Sequence, residues 1–198
     1  MSAPPKTVLT ATPEEAAAIR EAVRAAEGQL VAGPEHVEGL LALLSDPRVS
    51  DPIYDLPRPF TRESIGAWVA ENAALRREGR GILAVTLDAD RQVAGYSRFA
   101  VWPERASGEL AGARRADLQN SGGGRQGVAH SIAWMFESLG LRLIGLTAAL
   151  DNVRSAKAID GAGFVRMGEV DSVRPDGTVR RSLYWELTRD EWRLRHRL

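Results

Sequence analysis

The sequence predicts an α/β fold in a single domain, with a mixed, mostly antiparallel central sheet flanked by helices. Three observations carry this reading. Gly81–Leu87 and residues 92–102 are apolar-rich runs on either side of Asp88-Ala89-Asp90, the pattern of a β-hairpin. Residues 164–173 and 178–187 repeat that pattern around Pro175-Asp176-Gly177, a strong turn sequence. Between the hairpins, residues 119–149 read as a loop, an amphipathic helix and a buried strand.

Taken in order, the chain starts its first helix at Thr12-Pro13-Glu14-Glu15, with a Thr cap, Pro at the first helical position and Glu at the third. Ala16, Ile19, Val23 and Ala26 give it a thin apolar stripe, so residues 1–28 read as a peripheral N-terminal extension and residues 29–198 as the domain proper. Residues 29–32 can form a short strand. Pro34 opens a second helix with Val37, Leu40, Leu41 and Leu44 inward, ended by Leu44-Ser45-Asp46-Pro47. Residues 46–60 form a proline-rich loop carrying Tyr54, and such a loop can shape a binding site or simply connect. Thr61 caps a third helix with Ile65, Trp68, Val69 and Leu75 on its apolar side.

Ser107–Arg114 is the strand that leads into the central loop. Val128, Ile132, Met135, Phe136 and Leu139 then recur at helical spacing, with Gly140 as the C-terminal stop. Residues 141–149 are the mostly apolar buried strand. Asn152 is a natural cap for a short helix ending near Gly161 and Gly163. Residues 188–192 give a last helical turn.

Composition narrows the function. Lys+Arg and Asp+Glu are both 26, so a general nucleic-acid partner, which favours a basic excess, is not indicated. There is no cysteine, which removes disulfides, zinc-thiolate sites and a thiol nucleophile. His36, His130 and His196 are far apart, so no metal site is indicated. No apolar run approaches membrane-spanning length, and the opening MSAPPK lacks the apolar core of a signal peptide. The expectation is a soluble cytoplasmic protein without a nucleic-acid or membrane partner. Self-association into a homodimer stays open.

The chemistry concentrates at Gln119-Asn120-Ser121-Gly122-Gly123-Gly124-Arg125. Three glycines before a helix allow a ligand close to the backbone. The free N–H groups of the first turn and the helix dipole favour an anion such as phosphate, and Arg125 adds a full charge. A mobile surface loop is the plain alternative. A Walker loop needs Lys-Ser/Thr where Arg125-Gln126 stand. Gly122, Gly124 and Gly127 fit a dinucleotide fingerprint, but its acidic partner would be Asp151, which leads straight into the next helix.

Gln119-x-x-Gly122-x-Gly124, the helix, Leu139-Gly140-Leu141, Asn152-x-x-Ser155 and Gly163-Phe164 stand in an order that resembles the GNAT acetyltransferase superfamily. The tail Asp176-Gly177, Leu183-Tyr184-Trp185-Glu186-Leu187-Thr188 and Glu191-Trp192, with Leu44-Ser45-Asp46-Pro47, looks like its ribosomal-protein alanine acetyltransferase (RimJ/RimL-like) branch. The resemblance covers roughly residues 29 to 192.

It implies acetyl-CoA as donor, a primary amine as acceptor (a protein N-terminus or a small molecule), and direct transfer without a covalent enzyme intermediate. It also implies a sheet splayed between Ser107–Arg114 and residues 141–149, with the pantetheine arm of the cofactor in the gap. Gln119, Asn120, Ser121, Gly122, Gly123, Gly124, Arg125, Asn152, Arg154 and Lys157 are then the expected cofactor residues. Many members carry a tyrosine as general acid where this chain has Ile159, so Ser155 is the expected partner of the leaving thiolate and Glu109 the expected base. Each has a plain alternative: Ser155 an ordinary first-turn residue, Asn152 only a cap, Glu109 a solvated strand carboxylate. The missing tyrosine also leaves open a non-catalytic module of this fold that binds CoA or a partner.

Overall fold

The computed structural model describes residues 4–119, 123–173 and 177–196, and of residues 123–125 the backbone alone. Its sheet is built from β1 (Gly81–Leu87), β2 (Val93–Trp102), β3 (Ser107–Arg114), β4 (Leu143–Ala149), β5 (Val165–Val173) and β6 (Val179–Thr188). The spatial order is β1-β2-β3-β4-β6-β5. Every neighbouring pair is antiparallel except β3 and β4, which are parallel. Parallel neighbours need a crossover, and α5 (Gly123–Glu137) supplies it.

Successive side chains on a strand point to opposite faces, and β1 shows how the core divides. Ile82 and Ala84 join a cluster with Ile19 and Val23 of α1 (Pro13–Ala25), Ile132, Met135 and Phe136 of α5, Ile159 of α6 (Val153–Gly161) and Trp192 of α7 (Arg189–His196). Leu83 and Val85 face the other way, against Leu40, Leu43 and Leu44 of α2 (Val37–Leu44) and Ile65, Trp68 and Val69 of α4 (Arg62–Arg77). The result is a sheet between two helical layers.

Several sequence readings change here. The first helix is not peripheral, because Ile19 and Val23 are buried in the main core. Residues 29–32 form only a bridge, Val31 to Ala84, rather than a strand. In α2, Leu43 is buried alongside Leu40 and Leu44, while Leu41 is half-buried. Within the proline-rich loop, Asp46 caps a single helical turn, α3 (Pro47–Ser50). The buried strand begins at Leu143, although Leu141 is buried just before it. Trp134, off the apolar face read from the sequence, is also buried; its ring lies 4.9 Å from that of Phe99 and its indole N–H donates to the Glu27 carbonyl at 2.9 Å. The closing turn at residues 188–192 extends into the longer α7.

The caps act as capping chemistry requires. The Thr12 and Thr61 hydroxyls accept from the backbone N–H groups of Glu15 and Ser64 at 3.2 and 3.1 Å. At the terminal hairpin, Pro175 and Asp176 lie outside the described residues, while Gly177 has φ +83°, a conformation suited to glycine.

Candidate active site

The parallel ladder between β3 and β4 runs over three pairs, Ser107–Leu143, Gly108–Ile144 and Glu109–Gly145. Beyond them, β3 continues against β2 as far as Arg114, and β4 continues against β6 as far as Ala149. Residues 110–114 and 146–149 therefore turn toward a gap without pairing to each other. The two strands part like a V, closed at Glu109 and open at their carboxyl ends. In open α/β sheets that end is where ligands enter. Gly108 keeps the closed end tight: a Cβ there would lie 2.7 Å from Leu141 Cδ1 and 2.9 Å from Met135 Cε, so glycine lets α5 pack directly on β3.

At the closed end, register places Glu109, Gly145 and Glu186 side by side across β3, β4 and β6. Cross-strand partners share a face, here the face opposite α5. Glu109 is buried, and the Thr147 hydroxyl donates to its Oε1 at 3.5 Å. The Thr147 side chain also lies by the Tyr54 hydroxyl. Burial raises the Tyr54 hydroxyl well above the usual phenol range, the nearby charges of Glu109 and Asp55 raise it further, and Thr147 offsets part of the rise.

Tyr54 sits on a loop, yet its place is fixed. Neighbouring Asp55 accepts from Arg98 of β2 at 2.7 Å in an ion pair that is mostly buried. Arg180 stacks on the Tyr54 ring at 4.7 Å and donates to the Pro52 carbonyl at 2.7 Å. Tyr184 completes the group: its hydroxyl donates to Glu186 Oε1 at 2.6 Å and is also raised, by burial first and then by Glu186. The arrangement can take a proton from a group reaching Glu109 and can offer hydroxyl protons from Tyr54 and Thr147.

At the open end, the sequence-predicted residues meet across long sequence distances. The Gln119 side chain donates to the Arg114 carbonyl at 2.8 Å and accepts from Arg154 at 2.5 Å. This ties the exit of β3 to the first turn of α6. Asn152 caps α6, its Oδ1 accepting from the Ser155 backbone N–H at 3.1 Å. Arg154 and Lys157, three residues apart and both exposed, share one side of α6. Ser155 is half-buried on the first turn, by the open end, whereas Glu109 stands at the closed end.

Helix α5 begins at Gly123, so Gly123 and Gly124 belong to its first turn rather than to a loop ahead of it. Asn120, Ser121 and Gly122 lie outside the described residues, as does the Arg125 side chain. Among the described residues no group of three His, Cys, Asp or Glu could hold a metal ion, and no helix is long and apolar enough to cross a membrane.

Thr147 and Glu186 were missed as site residues, while Tyr184 stands in the sequence only as a further candidate for the proton chemistry, with Tyr54 and Tyr96. Their signal is weak but present. In Tyr184-Trp185-Glu186-Leu187, polar-tipped residues alternate with Trp185 and Leu187, both fully buried, so one face of a core strand is polar.

A search of curated proteins gives no match. Among solved structures, the fold is similar to the ribosomal-protein-S5-alanine acetyltransferase of Vibrio fischeri (TM-score 0.69, 19% identity, 82% of this chain and 92% of that one). It is also similar to Mycobacterium smegmatis RimJ in complex with CoA-disulfide (TM-score 0.69, 16% identity, 81% of each chain). Mutant forms of the spermidine/spermine N-acetyltransferase SpeG of Vibrio cholerae give TM-score 0.68 and 16% identity over 85% of this chain and 96% of that one. The sequence matches the acetyltransferase (GNAT) domain family over residues 31–165, more than half of its length, and with the splayed sheet described above the chain belongs to that family.

Proposed function

We propose that the chain is an N-acetyltransferase of the RimJ/RimL-like branch, moving an acetyl group from acetyl-CoA directly to a primary amine. The observation that carries this is the V between β3 and β4, with a buried carboxylate at its closed end and two helix starts at its open end. A pantetheine arm needs partners for its amides, and the facing edges of residues 110–114 and 146–149 offer backbone groups. A pyrophosphate needs donors and positive charge, which the first turn of α5, Arg154 and Lys157 would supply. Gln119 orients Arg154 for that purpose.

Bound acetyl-CoA supplies the acetyl thioester. The chain's own residues handle the protons. Glu109 Oε1 takes the proton of the attacking amine, with Thr147 fixing the carboxylate. The Ser155 hydroxyl serves the departing thiolate in place of the absent tyrosine, since Ile159 has no proton to give and is buried in the core. The two acceptor classes differ in demand. An α-amine near pKa 8 is about a tenth neutral at pH 7, whereas a lysine near 10.4 is neutral only about once in 2,500 molecules. Similarity of fold to both a ribosomal-protein acetyltransferase and a polyamine acetyltransferase leaves a protein N-terminus and a small amine as the classes to compare.

The buried Ile159 also supports a second reading, a module that binds CoA without turnover. CoA release from acetyl-CoA across a panel of peptide N-termini, polyamines, aminoglycosides and amino acids separates the two. Binding of acetyl-CoA with no release for any amine would overturn the enzymatic reading.

A further inference from the structure

Residues 4–7 lie on the Glu109 face of the sheet. Pro5 is buried, and its Cγ is 3.4 Å from where a Cβ on Gly145 would stand. The Lys6 backbone N–H donates to the Tyr184 hydroxyl at 3.0 Å. The Thr7 backbone N–H donates to Glu186 Oε1 at 2.9 Å, and the Thr7 hydroxyl donates to Glu186 Oε2. From the other side, Arg105 donates to the Pro5 and Thr7 carbonyls at 2.6 and 3.1 Å. The Lys6 ammonium lies 5.3 Å from the centre of the Tyr184 ring.

Two features separate this from ordinary packing of a chain end. Among the described residues, four of the segment's seven hydrogen bonds go to main-chain N–H and C=O groups, which any peptide offers. The Thr7 hydroxyl and Lys6 Nζ, which donates to the Met167 and Glu169 carbonyls at 3.5 and 3.3 Å, supply the rest, and the buried apolar side chain is a single proline. The groups receiving the main-chain N–H bonds, Tyr184 and Glu186, are the register neighbours of Thr147 and Gly145, so the segment lies beside the closed end of the V. Glycine at position 145 makes this seat: a Cβ there would stand 2.9 Å from the Tyr184 hydroxyl.

We infer that Tyr184, Glu186 and Arg105 form a binding site for a peptide main chain beside Glu109, that residues 4–7 fill it in this structure, and that a peptide ligand competes with them. The inference rests on the acetyltransfer reading only for the role of Glu109. A segment in cis is present at an effective concentration near millimolar. Apparent affinity for an outside peptide falls by the fraction of molecules in which the segment is displaced.

The test uses the full chain carrying Pro5→Gly with Thr7→Ala, and a fluorescent, amine-blocked peptide of residues 3–10. Anisotropy titration without acetyl-CoA should show about tenfold tighter binding to the variant than to the wild type, and adding Glu186→Gln should remove that gain. With acetyl-CoA, KM for the unblocked peptide should fall similarly, while kcat and acetyl-CoA affinity stay level. Equal binding to both proteins with an unmoved KM overturns the inference, leaving residues 4–7 a structural arm. If the double variant does not fold, Thr7→Val removes only the hydroxyl contact and should move binding the same way to a smaller degree. Peptide binding that behaves as expected in a protein that transfers no acetyl group would sink the enzymatic reading and spare this one.

Discussion

Glu109 and Gly145 are the last partners of the parallel ladder between β3 and β4, and every feature of the candidate site is placed relative to that pair. Gly145 carries no side chain, so the space between Glu109 on one neighbouring strand and Glu186 on the other is not filled by β4. Past the pair the strands part, and the gap leads to the starts of α5 and α6.

Acetyl-CoA should stabilise the protein and NAD should not. A ligand bound only by the native state at about 100 times its Kd adds about 2.7 kcal/mol. For a chain of this size that raises the melting temperature by roughly 5–11 °C. Differential scanning fluorimetry checks it, and a flat response to saturating acetyl-CoA refutes the cofactor assignment.

Gly124→Asp should abolish acetyl-CoA binding and keep the fold. Gly124 lies in the first turn of α5, where an acidic residue suits the helix dipole and replaces a poor helix former. The same carboxylate would repel a pyrophosphate. Calorimetric titration beside a melting curve gives both readouts; wild-type affinity in the folded variant would remove the phosphate site from this helix start.

Glu109→Gln should lower kcat by about 10²–10⁴-fold, the usual loss for a general base. The loss should be larger for a lysine acceptor than for an α-amine, because the lysine has further to go to reach its neutral form. Steady-state kinetics on two peptides from pH 6 to 9 would show it, with the acidic limb of the profile displaced in the variant. Equal, small effects on both acceptors would point to amine deprotonation by water.

The proton donor to the leaving thiolate can be located by a pair of variants. Ser155→Ala keeps the Asn152 cap, so it should leave acetyl-CoA affinity intact and reduce kcat. Tyr54→Phe keeps the ring under Arg180 and removes only the hydroxyl beside Thr147. A normal Ser155→Ala beside a slow Tyr54→Phe would move the role from α6 to the proline-rich loop.

Asp160 offers a test of pH-dependent stability. Arg166 first, and the Trp185 indole N–H second, hold its carboxyl below the usual range. A carboxyl with a depressed folded pKa contributes stability above its unfolded pKa and loses it as pH falls through the folded one. Asp160→Asn should therefore lower the melting temperature at pH 7 and make little difference once the pH is well below the usual aspartate value of about 3.9. A gap that persists at low pH would mean that the loss is one of packing.

Much of the architecture follows from short-range chemistry. β1 and β3 run over the residues that the apolar patterns mark, and Thr12, Thr61 and Asn152 cap their helices. These features depend on neighbours a few positions away, so local period and turn chemistry suffice. The Gln119 and Asn152 positions were legible for a different reason: they belong to a motif whose order is written along the chain.

What the sequence by itself determined is therefore the α/β class, the two hairpins, the capped helix starts at Thr12, Thr61 and Asn152, and the place of Glu109 on β3. The tertiary structure alone decided which residues gather around Glu109. The terminal hairpin is evident in the sequence, but nothing local says that β6, not β5, lies next to β4. That choice sets Glu186 beside Gly145 and Tyr184 beside Thr147. The burial of Ile19 and Val23, the docking of Tyr54 through Asp55 and Arg98, and the seating of residues 4–7 against Tyr184 and Glu186 have the same origin. Each joins groups far apart in sequence, and their meeting is fixed by strand order and register, which no local period encodes.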